Sequence, residues 1–135
     1  MLFGAAALLL LIAVARLAPR AKGPPCSVLA AQGAREIAGR CVVAQFVTTR
    51  HYSYSRLPDN LTVNGLELWG TGVTELPRGL RVNGDLELFK CDVEELPEEL
   101  VVNGSIHQDL SFFSPGIDCK HVPKTVRVSG TLPCY

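Results

Sequence analysis

LPDNLTVNGLELWGTGVTE (57–75), LPRGLRVNGDLELFKCDVEE (76–95) and LPEELVVNGSIHQDL (96–110) are three copies of one pattern. Their Leu-Pro pairs begin at Leu57, Leu76 and Leu96, so the period is 19 and then 20 residues. A worn fourth copy, VPKTVRVSGTL, runs from Val122 to Leu132. Self-similarity at a period of roughly 20 to 50 residues marks a repeat architecture, in which each unit buries its apolar face against its neighbours.

Within the second copy, Leu80, Val82, Leu86 and Leu88 alternate with Arg81, Asn83, Asp85 and Glu87. That alternation predicts a half-buried strand. The Asn-Gly pairs at Asn64-Gly65, Asn83-Gly84 and Asn103-Gly104 interrupt it, and Asn-Gly between alternating apolar residues is a strong hairpin signal. An array of small hairpins, pairing Val63 with Leu66 and Val82 with Leu86, therefore competes with a solenoid. Either way the glycines read as turn residues that need positive φ. The second half of each copy favours the solenoid. Trp69 to Val73 and Phe89 to Val93 lead in the same way to the next Leu-Pro, and a coil wrapped around a core requires a fixed apolar residue there, whereas a hairpin does not.

The frame Val63-x-x-Leu66-x-Leu68-x-x-Thr71-x-Val73 resembles the leucine-rich repeat. Copy two fits as Leu86-x-Leu88-x-x-Cys91-x-Val93, with one extra residue before Leu86. The ending Val73-Thr74-Glu75-Leu76-Pro77 is similar to the short bacterial type that closes in Leu-Pro, and the LPxxLxVNGxLxL variant resembles repeats of bacterial and phage proteins. Copy three departs from the frame by placing Gln108 where an apolar residue belongs. The resemblance implies a mainly β, short leucine-rich-repeat-like solenoid.

Residues 26–56 precede the repeats as an expected N-terminal cap, because a solenoid end cannot be left as bare core. Residues 26–40 read as a short helix halted by Gly39, Cys41 to Thr49 as a β-branched strand, and Arg50 to Arg56 as a polar, aromatic loop. Residues 57–110 form the repeat block. Residues 111–135 hold the degenerate copy and a C-terminal cap.

Residues 1–25 are of another kind. Leu2 to Ala15 carry no charge, and a helix over residues 2–18 would span about 25 Å, short of a hydrocarbon core of about 30 Å. Ala13-Val14-Ala15 supplies a small-x-small cleavage pattern, which predicts a signal peptide and a secreted or periplasmic protein. The basic residues Arg16, Arg20 and Lys22 follow the apolar run instead of preceding it, which suits an uncleaved membrane anchor. An acid-free, Arg-bearing segment also fits a transit peptide. Gly23-Pro24-Pro25 then serves as a linker.

The net charge is zero but unevenly spread. Residues 57–103 hold ten acids against Arg78, Arg81 and Lys90, a block that repels phosphate backbones and excludes nucleic acid as the expected partner. The histidines His51, His107 and His121 form no metal pattern beyond a lone Cys119-x-His121. Motifs for nucleophilic catalysis, phosphate loops or dinucleotide binding do not occur in the sequence. The expectation is a protein without enzymatic activity, metal or cofactor.

Five cysteines stand at positions 26, 41, 91, 119 and 134. Two flank the N-terminal cap and two the C-terminal one, so an exported chain is expected to pair Cys26 with Cys41 and Cys119 with Cys134. Cys91, inside copy two, reads as a buried small hydrophobe.

Function is expected on the outer face of the coils. Side chains between and just after the strand leucines point away from the core. One outward column is Glu67, Glu87 and His107, and the next is Trp69, Phe89 and Asp109. A Trp-Phe pair rimmed by carboxylates has the composition of a protein-binding hot spot. Rings that merely stack on each other, or are covered by Tyr52 and Tyr54, would be structural instead. The unprotected edge of the last coil adds self-association as an alternative.

Overall fold

The computed structural model describes residues 22–52, 54–70, 72–109 and 116–133. The leader or anchor expected over residues 1–25 lies almost wholly outside them. Among the described residues, no helix is long and apolar enough to cross a membrane.

The chain is mainly β and winds as a β-solenoid of about three turns. Its strands are β1 (Arg35–Ile37), β2 (Arg40–Thr48), β3 (Leu61–Trp69), β4 (Arg81–Val82), β5 (Leu86–Phe89), β6 (Val101–Val102), β7 (Ile106–Asp109) and β8 (Arg127–Val128). All belong to one sheet, in which β2, β3, β4/β5, β6/β7 and β8 are parallel and follow one another up the stack. Each copy pairs with the next copy, and none folds back on itself. This resolves the choice between coils and hairpins in favour of coils.

The register turns sequence period into columns. Val63 sits beside Val82, and Val102 beside Val128, while Leu66, Leu86 and Ile106 form a second row. Their side chains meet those of the Leu-Pro segments: Leu57, Leu76 and Leu96, then Leu61, Leu80 and Leu100, then Val73 and Val93, all between 0% and 4% exposed. Proline suits the start of each return segment, because it needs no donor there and holds φ near −65°. The extra residue in copy two, Asp85, is absorbed between β4 and β5, where its Oδ1 accepts the Ser105 amide at 2.8 Å. Gln108, out of place in an apolar column, is also explained. Its amide donates to the Val93 carbonyl at 3.4 Å and its Oε1 accepts the Ile117 amide at 3.2 Å, so it satisfies backbone groups of the neighbouring return segment.

Two expectations are corrected. The helix expected over residues 26–40 is a 3-10 helix limited to Cys26–Gln32, ended by Gly33 at φ 85°. The chain then forms β1 and turns through Ala38 (φ 50°) and Gly39 (φ 77°) into β2. Two successive residues at positive φ match a type I′ hairpin turn, so among the described residues the antiparallel hairpin lies at Ala38-Gly39 and not at an Asn-Gly pair.

The second correction concerns the Asn-Gly glycines, since Gly65, Gly84 and Gly104 do not have positive φ. At Gly84 and Gly104 the neighbouring backbone approaches too closely for a side chain, and at Gly65 the Phe46 ring does, 2.7 Å from a Cβ placed there. A Cβ on Gly84 would lie 2.6 Å from the Asn64 carbonyl oxygen, and one on Gly104 would lie 2.7 Å from that of Gly84. The Gly104 amide donates to Gly84 at 2.9 Å and the Gly130 amide to Gly104 at 2.8 Å, forming a ladder at the bend of each coil. Positive φ falls instead three residues after each leucine of Leu-Pro, at Asn60 (55°), Gly79 (69°) and Glu99 (63°).

Cys26 and Cys41 are joined by a disulfide, with Cα atoms 5.4 Å apart. Cys119 is also disulfide-bonded, and Cys134, its expected partner, lies outside the described residues. Cys91 is a buried free thiol, and burial pushes its pKa up.

Candidate functional site

The parallel register brings the expected residues together. Glu67 pairs with Glu87 and Glu87 with His107, while Trp69 pairs with Phe89 and Phe89 with Asp109. Trp69 and Phe89 are half-buried, Glu87 is intermediate, and His107 and Asp109 are exposed. The rings of Trp69 and Phe89 meet edge to face, with centroids 5.7 Å apart and planes at 80°. Such pairs contribute about 0.5–1.5 kcal/mol beyond area burial.

Residues that single-repeat reasoning missed lock this pair in place. Arg50, from the loop after β2, lays its guanidinium 4.0 Å from the Trp69 ring centroid, and the Lys90 ammonium lies 5.2 Å from it. Both distances fall within cation–π range. The Trp69 amide donates to the buried Thr49 hydroxyl at 3.0 Å. Tyr52 and Tyr54 stack on each other with centroids 5.4 Å apart, and the Tyr54 hydroxyl accepts from Gln32 at 3.1 Å.

Glu67 occupies the outward column but is not an open rim carboxylate, being 7% exposed. Arg50 grips it with both edges, Nε to Oε1 at 2.7 Å and Nη2 to Oε2 at 3.0 Å, and the Thr48 hydroxyl donates at 2.8 Å. The Arg50 hydrogen bond holds the Glu67 carboxyl below its ordinary range against the opposing effect of burial. The same bond raises Arg50. Glu67 is thus a clamp that fixes the Arg50 plane over the tryptophan. Its signal in the sequence was faint, because Arg50 lies 17 residues earlier in a segment outside the repeat.

Further along, His107 Nε2 stands 3.2 Å from Asp85 Oδ2. The Ser105 amide and then His107 hold the Asp85 carboxyl below its usual range. Glu87, His107 and Asp109 are the residues left to form a polar rim beside the aromatic pair.

No family model, curated protein or solved structure matches the chain.

In chemical terms the site offers a rigid aromatic edge, two cations stacked near it, and an acidic and imidazole rim. Among the described residues, no three His, Cys, Asp or Glu side chains are placed to hold a metal ion.

Proposed function

We propose that the protein is a non-catalytic protein-binding module of leucine-rich-repeat type, and that its contact surface is the outer face of the coils around Trp69 and Phe89. The repeat assignment is supported by burial. Val63, Leu66, Leu68 and Val73, and then Leu86, Leu88, Cys91 and Val93, fill the positions that the repeat frame reserves for the core. The binding assignment is carried by one observation: Trp69 is only partly buried yet held on three sides, by Phe89, Arg50 and Lys90. A large ring fixed before contact loses little entropy on binding, the property that makes Trp and Arg recurrent hot-spot residues. Export fits the Cys26–Cys41 bridge, since such bonds persist in oxidising compartments. The partner would then be an extracellular or periplasmic protein.

The test uses immobilised full-length mature protein to capture partners, with Trp69→Ala as the comparison. Proteins retained by the native chain and lost from the variant, at unchanged circular dichroism, support the reading. Equal retention by both refutes it.

Self-association is the second reading, and a separate feature favours it. Val122, Val126, Val128 and Leu132 of the last coil are only partly buried, whereas the matching positions in earlier coils are sealed. Light scattering after size exclusion separates the two readings, because a monomer at all concentrations contradicts self-assembly.

A further inference from the structure

The first half of the sheet carries a column that the repeat pattern does not announce. Arg81, Val101 and Arg127 are register partners on β4, β6 and β8, so the two arginines stand two strand spacings apart, about 9.6 Å. Among the described residues, neither guanidinium makes a hydrogen bond or an ion pair. Arg40 reaches the same place from β2. Its Nε donates to the Thr62 hydroxyl at 2.9 Å, and its Nη2 to the carbonyls of Gly79 at 2.5 Å and Leu61 at 3.4 Å. These bonds fix Arg40 through Nε and Nη2 and leave Nη1 uncommitted. Arg40, Arg81, Arg127, Glu99, Val101 and Thr125 line a groove of about 320 Å³.

Three guanidinium groups outnumber the groove's own carboxylate, Glu99, and the Glu98 carboxylate that accepts the Thr125 hydroxyl at 2.7 Å just behind it, so the groove keeps a positive excess. Burial first, and then the neighbouring Arg81 charge, hold Arg40 below its ordinary range, with Glu99 opposing. Like charges in excess of their counter-ions are relieved by a ligand of opposite sign. The shape of the groove narrows the choice. Guanidinium forks approaching from different strands can each address a separate oxygen, which suits a tetrahedral group better than a flat carboxylate. A long polyanion is disfavoured by the ten acids of residues 57–103.

We infer that the groove between Arg40, Arg81 and Arg127 is a binding site for a single doubly charged oxyanion, the phosphate or sulfate group of a small ligand or of a modified side chain. Arg81 and Arg127 contribute the uncommitted donors and Arg40 a fixed one, while the Thr125 hydroxyl is taken up by Glu98 at 2.7 Å and by the Glu99 amide at 2.9 Å. Glu99 sets a threshold, because its charge repels the ligand and keeps the site weak for monoanions.

Arginine Nε–Hε signals in nitrogen-resolved NMR spectra provide the test, with the native protein titrated separately with sodium phosphate, sodium sulfate and sodium acetate at constant ionic strength. The expected result is a saturable shift of the Arg81 and Arg127 signals with phosphate or sulfate and none with acetate; comparison of the two oxyanions identifies the preferred group. Arg81→Ala and Arg127→Ala should each weaken that binding by about tenfold or more, the loss expected for a charge-assisted pair. Glu99→Gln should tighten it. Shifts that do not saturate, that acetate reproduces, or that persist unchanged in both arginine variants overturn the proposal.

Discussion

Replacing Gly104 by alanine tests the reason for the recurring Asn-Gly pair. The new Cβ would sit 2.7 Å from the Gly84 carbonyl oxygen and would also run into Asp85 Oδ1. The side-chain oxygen can swing away by giving up the Ser105 amide, but the backbone oxygen is fixed by the Gly104 amide bond at 2.9 Å. Relief therefore requires the two coils to part by about half an ångström, which is an overpacking cost of about 1–3 kcal/mol. The same movement strains the Gly104–Gly84 bond and its neighbour from Gly130 to Gly104 at 2.8 Å. Weakening those bonds adds about 1 kcal/mol. The expected loss is about 2–4 kcal/mol, read as a lower urea midpoint at unchanged slope by circular dichroism. Gly70→Ala provides the contrast. Gly70 has φ 49°, and a Cβ there would meet no atom within 4 Å, so only left-handed strain applies, about 1–2 kcal/mol. A Gly104→Ala midpoint within error of the native value, or a larger loss at Gly70, would refute the close-approach argument.

Three other perturbations address the cap, the bends and the clamp. Replacing both Cys26 and Cys41 by serine opens a loop with a sequence separation of 15 and should cost about 3 kcal/mol in the urea midpoint; an unchanged midpoint contradicts a bridge that stabilises the fold. Glu99→Gly relieves a non-glycine residue at φ 63° and should raise stability by about 1 kcal/mol, whereas a loss would show that the Glu99 side chain contributes more than its backbone strain costs. The folded Glu67 carboxyl lies below its unfolded value near 4.5, so its contribution is present above that pH and is lost as pH falls through the folded value. Arg50→Gln should therefore flatten the acid limb of a melting-temperature profile below pH 4.5, and identical limbs in both proteins would contradict the clamp.

What could be read in the sequence, and what could not, divides along physical lines. The Leu-Pro period foretold the coils and their register, because every copy must solve the same burial problem. The disulfide at Cys26 and Cys41 followed from spacing around a thin end of the core. The Asn-Gly pairs misled, since a residue type favoured by positive φ is equally required where two backbones nearly touch, and only the stack shows which cause applies. The hairpin at Ala38-Gly39 carried no strong turn signal. Arg50, Arg40 and Arg127 were invisible as partners because they come from outside the sound repeats, where period says nothing about neighbours. Glu67 was expected among the outward carboxylates, but Arg50 and Thr48 bury it to 7% exposure, which could not be seen from the repeat alone.

Trp69 is the chain's single tryptophan, so its fluorescence reports on the proposed contact without interference. The decisive measurement is iodide quenching of that emission in the native protein, alone and at saturation with a captured partner. Partial quenching is expected in the free protein, since the ring is only partly buried, and a fall in quenching with a blue shift in the complex. Unchanged quenching in a saturated complex would place the contact elsewhere and contradict the central claim.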